Sequence, residues 1–145
     1  MSAQVAIIMG SKSDLPVLQG AFQMLDKFGV TYTARVLSAH RTPDEAAAFA
    51  KNAEDAGCKV IICAAGMAAH LGGVFAAHTV LPVIGIPVAT VTAGKAGGKN
   101  AALYAISILA VQDAGLREQL KAFRREQAEQ VLKADAELQE ELKGN

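Results

Sequence analysis

The chain has 145 residues, 52% of them hydrophobic, and no formal net charge. That length suits one domain with a sizeable core, and the charge balance gives the whole molecule no pull toward nucleic acid or an anionic membrane. The longest uncharged run, Val60 to Gly94, carries His70, His78, Pro82, Pro87 and several glycines, so it reads as strands and loops rather than a membrane span. Met1-Ser2-Ala3-Gln4 has no basic region, and the apolar run after it is too short for a secretory signal. A cytoplasmic protein is the expectation. Cys58 and Cys63 would lie roughly 16 Å apart on one extended segment. That is beyond disulfide reach, so both are expected as buried thiols without a metal or redox role.

Val5-Ala6-Ile7-Ile8-Met9 is a short apolar run that predicts a strand covered on both faces. After it come Gly10-Ser11-Lys12-Ser13-Asp14 and an amphipathic helix marked by Leu15, Leu18, Phe22 and Leu25, closed by Gly29. Ser13 is the expected cap, with Asp14 and Pro16 in the first turn. Two readings of the loop stand. It is either an ordinary capped turn or an anion site built from backbone amides and hydroxyls at a helix N-terminus. It is neither a Walker loop nor a G-x-G-x-x-G turn. Asp14 is either a helix-dipole partner or a holder of a ribose hydroxyl.

Thr31 to Leu37 predicts the second strand. It ends in Ser38-Ala39-His40-Arg41, and Thr42-Pro43-Asp44-Glu45 then signals a helix with a capping box and proline at its first position, running to Gly57. A hydroxyl, an imidazole and a guanidinium therefore fall in four residues at a strand's carboxyl end. Open α/β sheets place their ligands there. Val60 to Ala65 predicts a third strand. Gly66-Met67-Ala68-Ala69-His70-Leu71-Gly72-Gly73 follows as a small-residue loop that a flat ligand can approach closely. His70 is either a ligand contact or a satisfied polar residue, and Val74 to His78 reads as helix with His78 structural.

The β–α alternation breaks next. Leu81 to Gly94 has the content of two strands with nothing between them, and parallel neighbours need a crossover of about a dozen residues or more. Either it is one irregular edge segment, or a crossover is absent. Gly94 to Asn100 reads as a flexible basic loop leading into an apolar helix, Ala101 to Val111. From Leu116 onward the pattern is one amphipathic helix of about 40 Å. Its stripe is Leu116, Leu120, Phe123, Val131, Leu138 and Leu142. We expect an α/β catalytic domain over 1–114 and a C-terminal helix over 115–145 that packs on a neighbouring subunit.

Met9-Gly10-Ser11-Lys12-Ser13-Asp14, Ser38-Ala39-His40-Arg41-Thr42-Pro43 and Gly66-Met67-Ala68-Ala69-His70-Leu71, in that order, resemble class I PurE. This is the N5-carboxyaminoimidazole ribonucleotide mutase family of de novo purine synthesis. The resemblance implies a flavodoxin-like three-layer α/β/α fold with a central parallel sheet, in a homo-octamer whose C-terminal helices reach across subunits. It also implies an isomerase that moves a carboxylate from the exocyclic nitrogen to the ring carbon of aminoimidazole ribonucleotide, with no metal, ATP or biotin. By position, Ser11, Asp14 and Arg41 resemble the family's substrate-binding residues, with Ser13 and Ser38 beside the phosphate. His40 resembles the proton-transfer residue. Gly66, Ala69, His70 and Leu71 resemble the loop that lines the pocket for the base and the migrating carboxylate. An ordinary imidazole titrates near pH 6.5, approximately the working pH, so one such group can deliver and then accept the protons involved.

Some residues depart from the family pattern. Ala64, Met67 and Gly72 stand where Gly, Gly and Pro are usual. About two dozen residues that normally separate two similar I-P-V strands are absent at Ile84 to Ala89, as though the chain were joined across the two copies; in the family they help cover the active site. Two alternative activities follow. One is direct carboxylation of aminoimidazole ribonucleotide by carbon dioxide. The other is ribonucleotide binding or assembly without catalysis.

Overall fold

The computed structural model describes residues 2–65, 70–86 and 94–143. Four strands form one parallel sheet: β1 (Val5–Met9), β2 (Tyr32–Val36), β3 (Val60–Ala64) and β4 (Val83–Ile86), in the spatial order β2-β1-β3-β4. β1 and β3 are central and buried at every position, which is why both read as unbroken apolar runs. Their register pairs Val5 with Val60 and Met9 with Ala64. The helices are α1 (Leu15–Lys27), α2 (Pro43–Asn52), α3 (His70–His78), α4 (Gly94–Leu109) and α5 (Ala114–Lys143). Helices cover both faces of the sheet, so the fold is a flavodoxin-like three-layer α/β/α arrangement, as expected.

Side-chain alternation assigns the layers. Ala6, Ile8, Ile61 and Cys63 face one way and pack with Ala46 and Ala50 of α2 and Leu71 and Phe75 of α3. Val5, Ile7, Val60 and Ile62 face the other way, the side on which α1 and α4 pack against each other and α4 meets β3 and β4. Burial pushes the Cys63 thiol up to about 12 from 9.0. Between those values the folded protein keeps a proton that the unfolded chain releases, so stability falls as pH rises above about 9. In Cys63→Ala, the slope of unfolding free energy against pH should flatten by up to about 1.4 kcal/mol per pH unit, measured by urea titration on the alkaline side. An unchanged slope would show that the thiol ionises as freely folded as unfolded.

Three local expectations are corrected by contacts. The first turn after β1 is capped by Ser11, not Ser13. The Ser13 N–H donates to Ser11 Oγ (3.3 Å), the Ser11 N–H donates to Asp14 Oδ2 (3.0 Å), and a single 3-10 turn precedes α1. Thr42 does precede α2 with Pro43 behind it, yet makes no side-chain cap. Its hydroxyl turns back to the strand end, as described below, and α2 stops at Asn52 rather than Gly57. Gly57 instead ends the following turns at φ +92°, a backbone angle that favours glycine.

The third correction is Gly94 to Asn100, which is helix and not loop. Gly97 and Gly98 are buried, and a Cβ on Gly98 would run into the backbone carbonyl of Val17 on α1. Glycine is there for helix-to-helix approach. Beyond Leu81, one strand of four residues forms, at the sheet edge. No further strand is found among the described residues, and residues 87–93 of the irregular stretch lie outside them.

The chain divides into two compact units, Met1–Leu109 and Ala110–Asn145. The second is built on α5, about 45 Å long at 1.5 Å per residue. Asp113 caps it by accepting from the Leu116 N–H (2.9 Å), and Arg117 donates to the carbonyls of Ala110 (3.0 Å) and Val111 (2.6 Å). Leu116 and Phe123 are buried, whereas Val131, Leu132, Leu138 and Leu142 are exposed. No helix among the described residues is long and apolar enough to cross a membrane.

Candidate functional site

In the order β2-β1-β3-β4 the chain reverses direction across the sheet between β1 and β3. The carboxyl ends of those strands form the crevice where such sheets bind ligands. The ends are tied together: the Gly10 N–H donates to the Ala64 carbonyl (2.9 Å) and the Leu37 N–H to the Met9 carbonyl (3.0 Å). Three connections therefore leave the sheet side by side.

A cleft of about 430 Å³ opens there. It is lined by Gly10, Ser11, Ser13 and Asp14 after β1, by Ser38, Ala39, His40 and Arg41 after β2, by Ala65 next to β3 and by Leu71 of α3. Seven expected site residues (Ser11, Ser13, Asp14, Ser38, His40, Arg41 and Leu71) thus share one wall system although sequence separates them by up to 60 positions. His70 is the first residue of α3, exposed, and not in a loop as expected. Its ring meets that of His40 edge-on, centroids 5.9 Å apart. Gly66 and Ala69 lie outside the described residues.

The β2 turn is held by its own hydrogen bonds. Thr42 Oγ1 accepts from the Ser38 N–H (2.9 Å) and donates to the Ser38 carbonyl (3.2 Å). The Thr42 N–H also donates to that carbonyl (2.9 Å), and the Arg41 N–H donates to Ser38 Oγ (3.2 Å). His40 sits at the tip of this closed turn. Arg41 reaches across to the first loop, donating from Nη2 to the Gly10 carbonyl at 2.8 Å. A guanidinium has five N–H donors, so one bond to Gly10 leaves most of the fork for a ligand. In the first loop, Ser13 Oγ donates to Ser11 Oγ (2.9 Å) and Asp14 is held by the Ser11 N–H. Hydroxyls, a helix N-terminus and a guanidinium converge as an anion would need.

Sequence reasoning singled out neither Gly10 as the acceptor that orients Arg41 nor Thr42 as the clamp on Ser38. Thr42 read as a helix cap because its spacing to Glu45 fits one. No sequence signal marks a backbone acceptor 31 residues away. Ala65, the first residue past β3, also lines the cleft, and its only signal is its place at a strand end.

A parallel three-layer sheet with a polar, anion-suited cleft at its switch point defines a flavodoxin-like α/β protein. Solved structures agree on the fold. The chain superposes on Treponema denticola PurE2-S38D with a TM-score of 0.83 at 23% identity, covering 95% of this chain and 99% of that one. On Treponema denticola PurE the TM-score is 0.80 at 24% identity, with 92% and 97% covered. Residues 4–96 and 85–130 match the family model of AIR carboxylase. The chain belongs to the AIR carboxylase family.

Among its relatives is a Pseudomonas aeruginosa protein named N5-carboxyaminoimidazole ribonucleotide mutase, 46% identical over 155 residues, with 91% of this chain and 95% of the relative covered. Proteins of the same name from Vibrio vulnificus and Escherichia coli are 45% and 42% identical, covering 89% and 90% of this chain and 94% and 90% of their own lengths. The Vibrio alignment runs over 152 residues yet takes in 89% of a 145-residue chain. About two dozen positions of that relative therefore have no counterpart here. The two matched stretches also overlap at 85–96, so one segment answers to two parts of the family. That overlap runs from the last residues of β4 to the first of α4.

Proposed function

We propose that this chain is an N5-carboxyaminoimidazole ribonucleotide mutase of purine biosynthesis, cytoplasmic and working as a homo-oligomer, an octamer in the family's pattern. The observation that carries the reading is the single cleft in which His40 and Arg41, on one closed turn, face the Ser11–Asp14 loop. The names of relatives at 42–46% identity support it.

The reaction moves a carboxylate within one molecule. The carbamate C–N bond breaks, the exocyclic nitrogen gains a proton, and carbon dioxide is released into the cleft. The ring carbon then forms the new C–C bond and gives up its proton. The proton count closes on one shuttling group, and His40 is that group. Arg41, with the Ser11, Ser13 and Ser38 hydroxyls, takes the phosphate, and Asp14 takes a ribose hydroxyl. Leu71 and the segment holding Gly66, Ala69 and His70 line the base and the carbon dioxide. Holding carbon dioxide against the ring carbon is a proximity effect. The product is an isomer of the substrate and no net oxidation or reduction occurs, so the step calls for no redox partner.

Supplying each substrate separately tests the reading. The carbamate should be converted with no added bicarbonate, whereas turnover only of aminoimidazole ribonucleotide with carbon dioxide would make the chain a direct carboxylase. A third outcome, ribonucleotide binding with no turnover, would assign it a binding role. About two dozen residues of the relatives have no counterpart here, and the family resemblance implies that such residues help cover the site, which favours that alternative. In an active enzyme, Arg41→Ala should raise the Michaelis constant for the ribonucleotide by about tenfold or more, the loss expected for a charge-assisted contact to phosphate. An unchanged constant would remove Arg41 from the phosphate site.

We also propose that the exposed stripe of Val131, Leu132, Leu138 and Leu142 on α5 packs on a neighbouring subunit, with 1–114 as the catalytic part and 115–145 as the assembling helix.

A further inference from the structure

A second cavity, of about 520 Å³, lies between β2 and α2 and shares no lining residue with the catalytic cleft. β2 is the edge strand. Thr33, Arg35 and Leu37 alternate on the face that meets α2, and α2 answers with Glu45, Phe49 and Asn52. Ala48, Ala53 and Ala56 are too small to fill the space between them. The volume falls in the range of small-molecule sites.

The deep part of this groove is apolar and well buried at Leu37, Ala53 and Cys58. The Cys58 thiol is pushed up by that burial, which keeps it neutral. The rim carries both signs of charge. The Arg35 guanidinium stands 5.9 Å from the centre of the Phe49 ring, and Phe49 is one helical turn after Glu45, so cation and anion occupy the same end of the groove. Among the described residues neither makes an ion pair. Each keeps its charge turned to solvent above an apolar floor.

We propose that this groove binds a free α-amino acid with an apolar side chain, its carboxylate on Arg35, its ammonium on Glu45 and its side chain against Leu37, Phe49 and Cys58. The pairing of charges selects the ligand class. A fatty acid satisfies Arg35 but sets a second carboxylate beside Glu45, and an aliphatic amine satisfies Glu45 but stands beside a guanidinium. Only a zwitterion meets both without a like-charge contact. A leucine-sized side chain would pack on the Phe49 ring and the small-residue floor.

The test is calorimetric titration of the full chain with L-leucine, 4-methylpentanoate and 3-methylbutylamine as probes. Leucine should bind at least about tenfold more tightly than either half-molecule. Arg35→Gln should erase leucine's advantage over the amine, and Glu45→Gln its advantage over the acid. Both side chains are exposed, so the variants should melt with the wild type, and amide NMR shifts should move at Thr33 and Phe49. The proposal is overturned if leucine binds no better than the half-molecules, or if both variants bind it like the wild type. It also fails if the groove signals respond to protein concentration and not to leucine, because a second copy of the chain then fills it.

Discussion

His40→Asn should reduce mutase turnover by about a thousandfold or more while leaving ribonucleotide affinity within about threefold, since a positioned general acid–base contributes about 10²–10⁴ in rate. The side chain lines the cleft at the tip of a turn whose shape is set by Ser38 and Thr42. Asparagine therefore keeps the turn and removes only the group that can lend and reclaim a proton. Stopped-flow measurement of carbamate consumption gives the rate, and calorimetry with the product ribonucleotide gives the affinity. Wild-type turnover in the variant would place the proton transfer elsewhere, with the neighbouring His70 as the first residue to examine. Loss of affinity together with turnover would mean that His40 shapes the site instead of doing chemistry in it.

The second large effect is on stability. Gly98→Ala should destabilise the protein by about 2 kcal/mol or more, although alanine is intrinsically the better helix former by roughly 1 kcal/mol. The overlap outweighs propensity because the atom in the way is the Val17 carbonyl, part of the α1 backbone, which cannot rotate aside as a side chain would. Either α4 shifts off α1 or a hydrogen-bonded turn of α1 deforms. Gly73→Ala provides the opposite sign. A Cβ at Gly73, within α3, meets nothing within 4 Å, so helix propensity acts alone and stability should rise by about 0.5–1 kcal/mol. Urea midpoints for the two variants check both values. A Gly98→Ala protein as stable as the wild type would show that the α1–α4 contact is not close enough to require glycine.

These two sites differ in how far sequence reasoning reached them. His40 was legible because its neighbours in sequence announce its setting: an apolar run before it, proline and acidic residues after it, and a short polar turn between. A strand end and a helix start can be read from about ten adjacent residues, and their junction is where parallel sheets expose function. Gly98 was misread because its setting is not in its neighbourhood. Three glycines and two lysines in seven residues, Gly94 to Asn100, have the local preference of a loop. What requires glycine at 98 lies at Val17, about 80 positions earlier. Thr42 is the same case in miniature. Its spacing to Glu45 satisfies a capping rule, but the Ser38 backbone competes for the hydroxyl and wins.

The sequence by itself determined the β–α alternation, the two central strands, the turn that carries His40 and Arg41, the long amphipathic C-terminal helix, and the join after β4 that interrupts the pattern. Each of these follows from local periodicity or from residues that act on their own backbone. Tertiary structure decided that Ser11, Ser13 and Asp14 share a cleft with His40, Arg41 and Leu71, that Arg41 leans on the Gly10 carbonyl, that His70 opens a helix beside His40, and that a charged-rim groove lies between β2 and α2. Those facts depend on strand order. Placing β1 between β2 and β3 brings distant loops to one edge, and the long-range contacts that fix that order leave no trace in any short stretch of the chain.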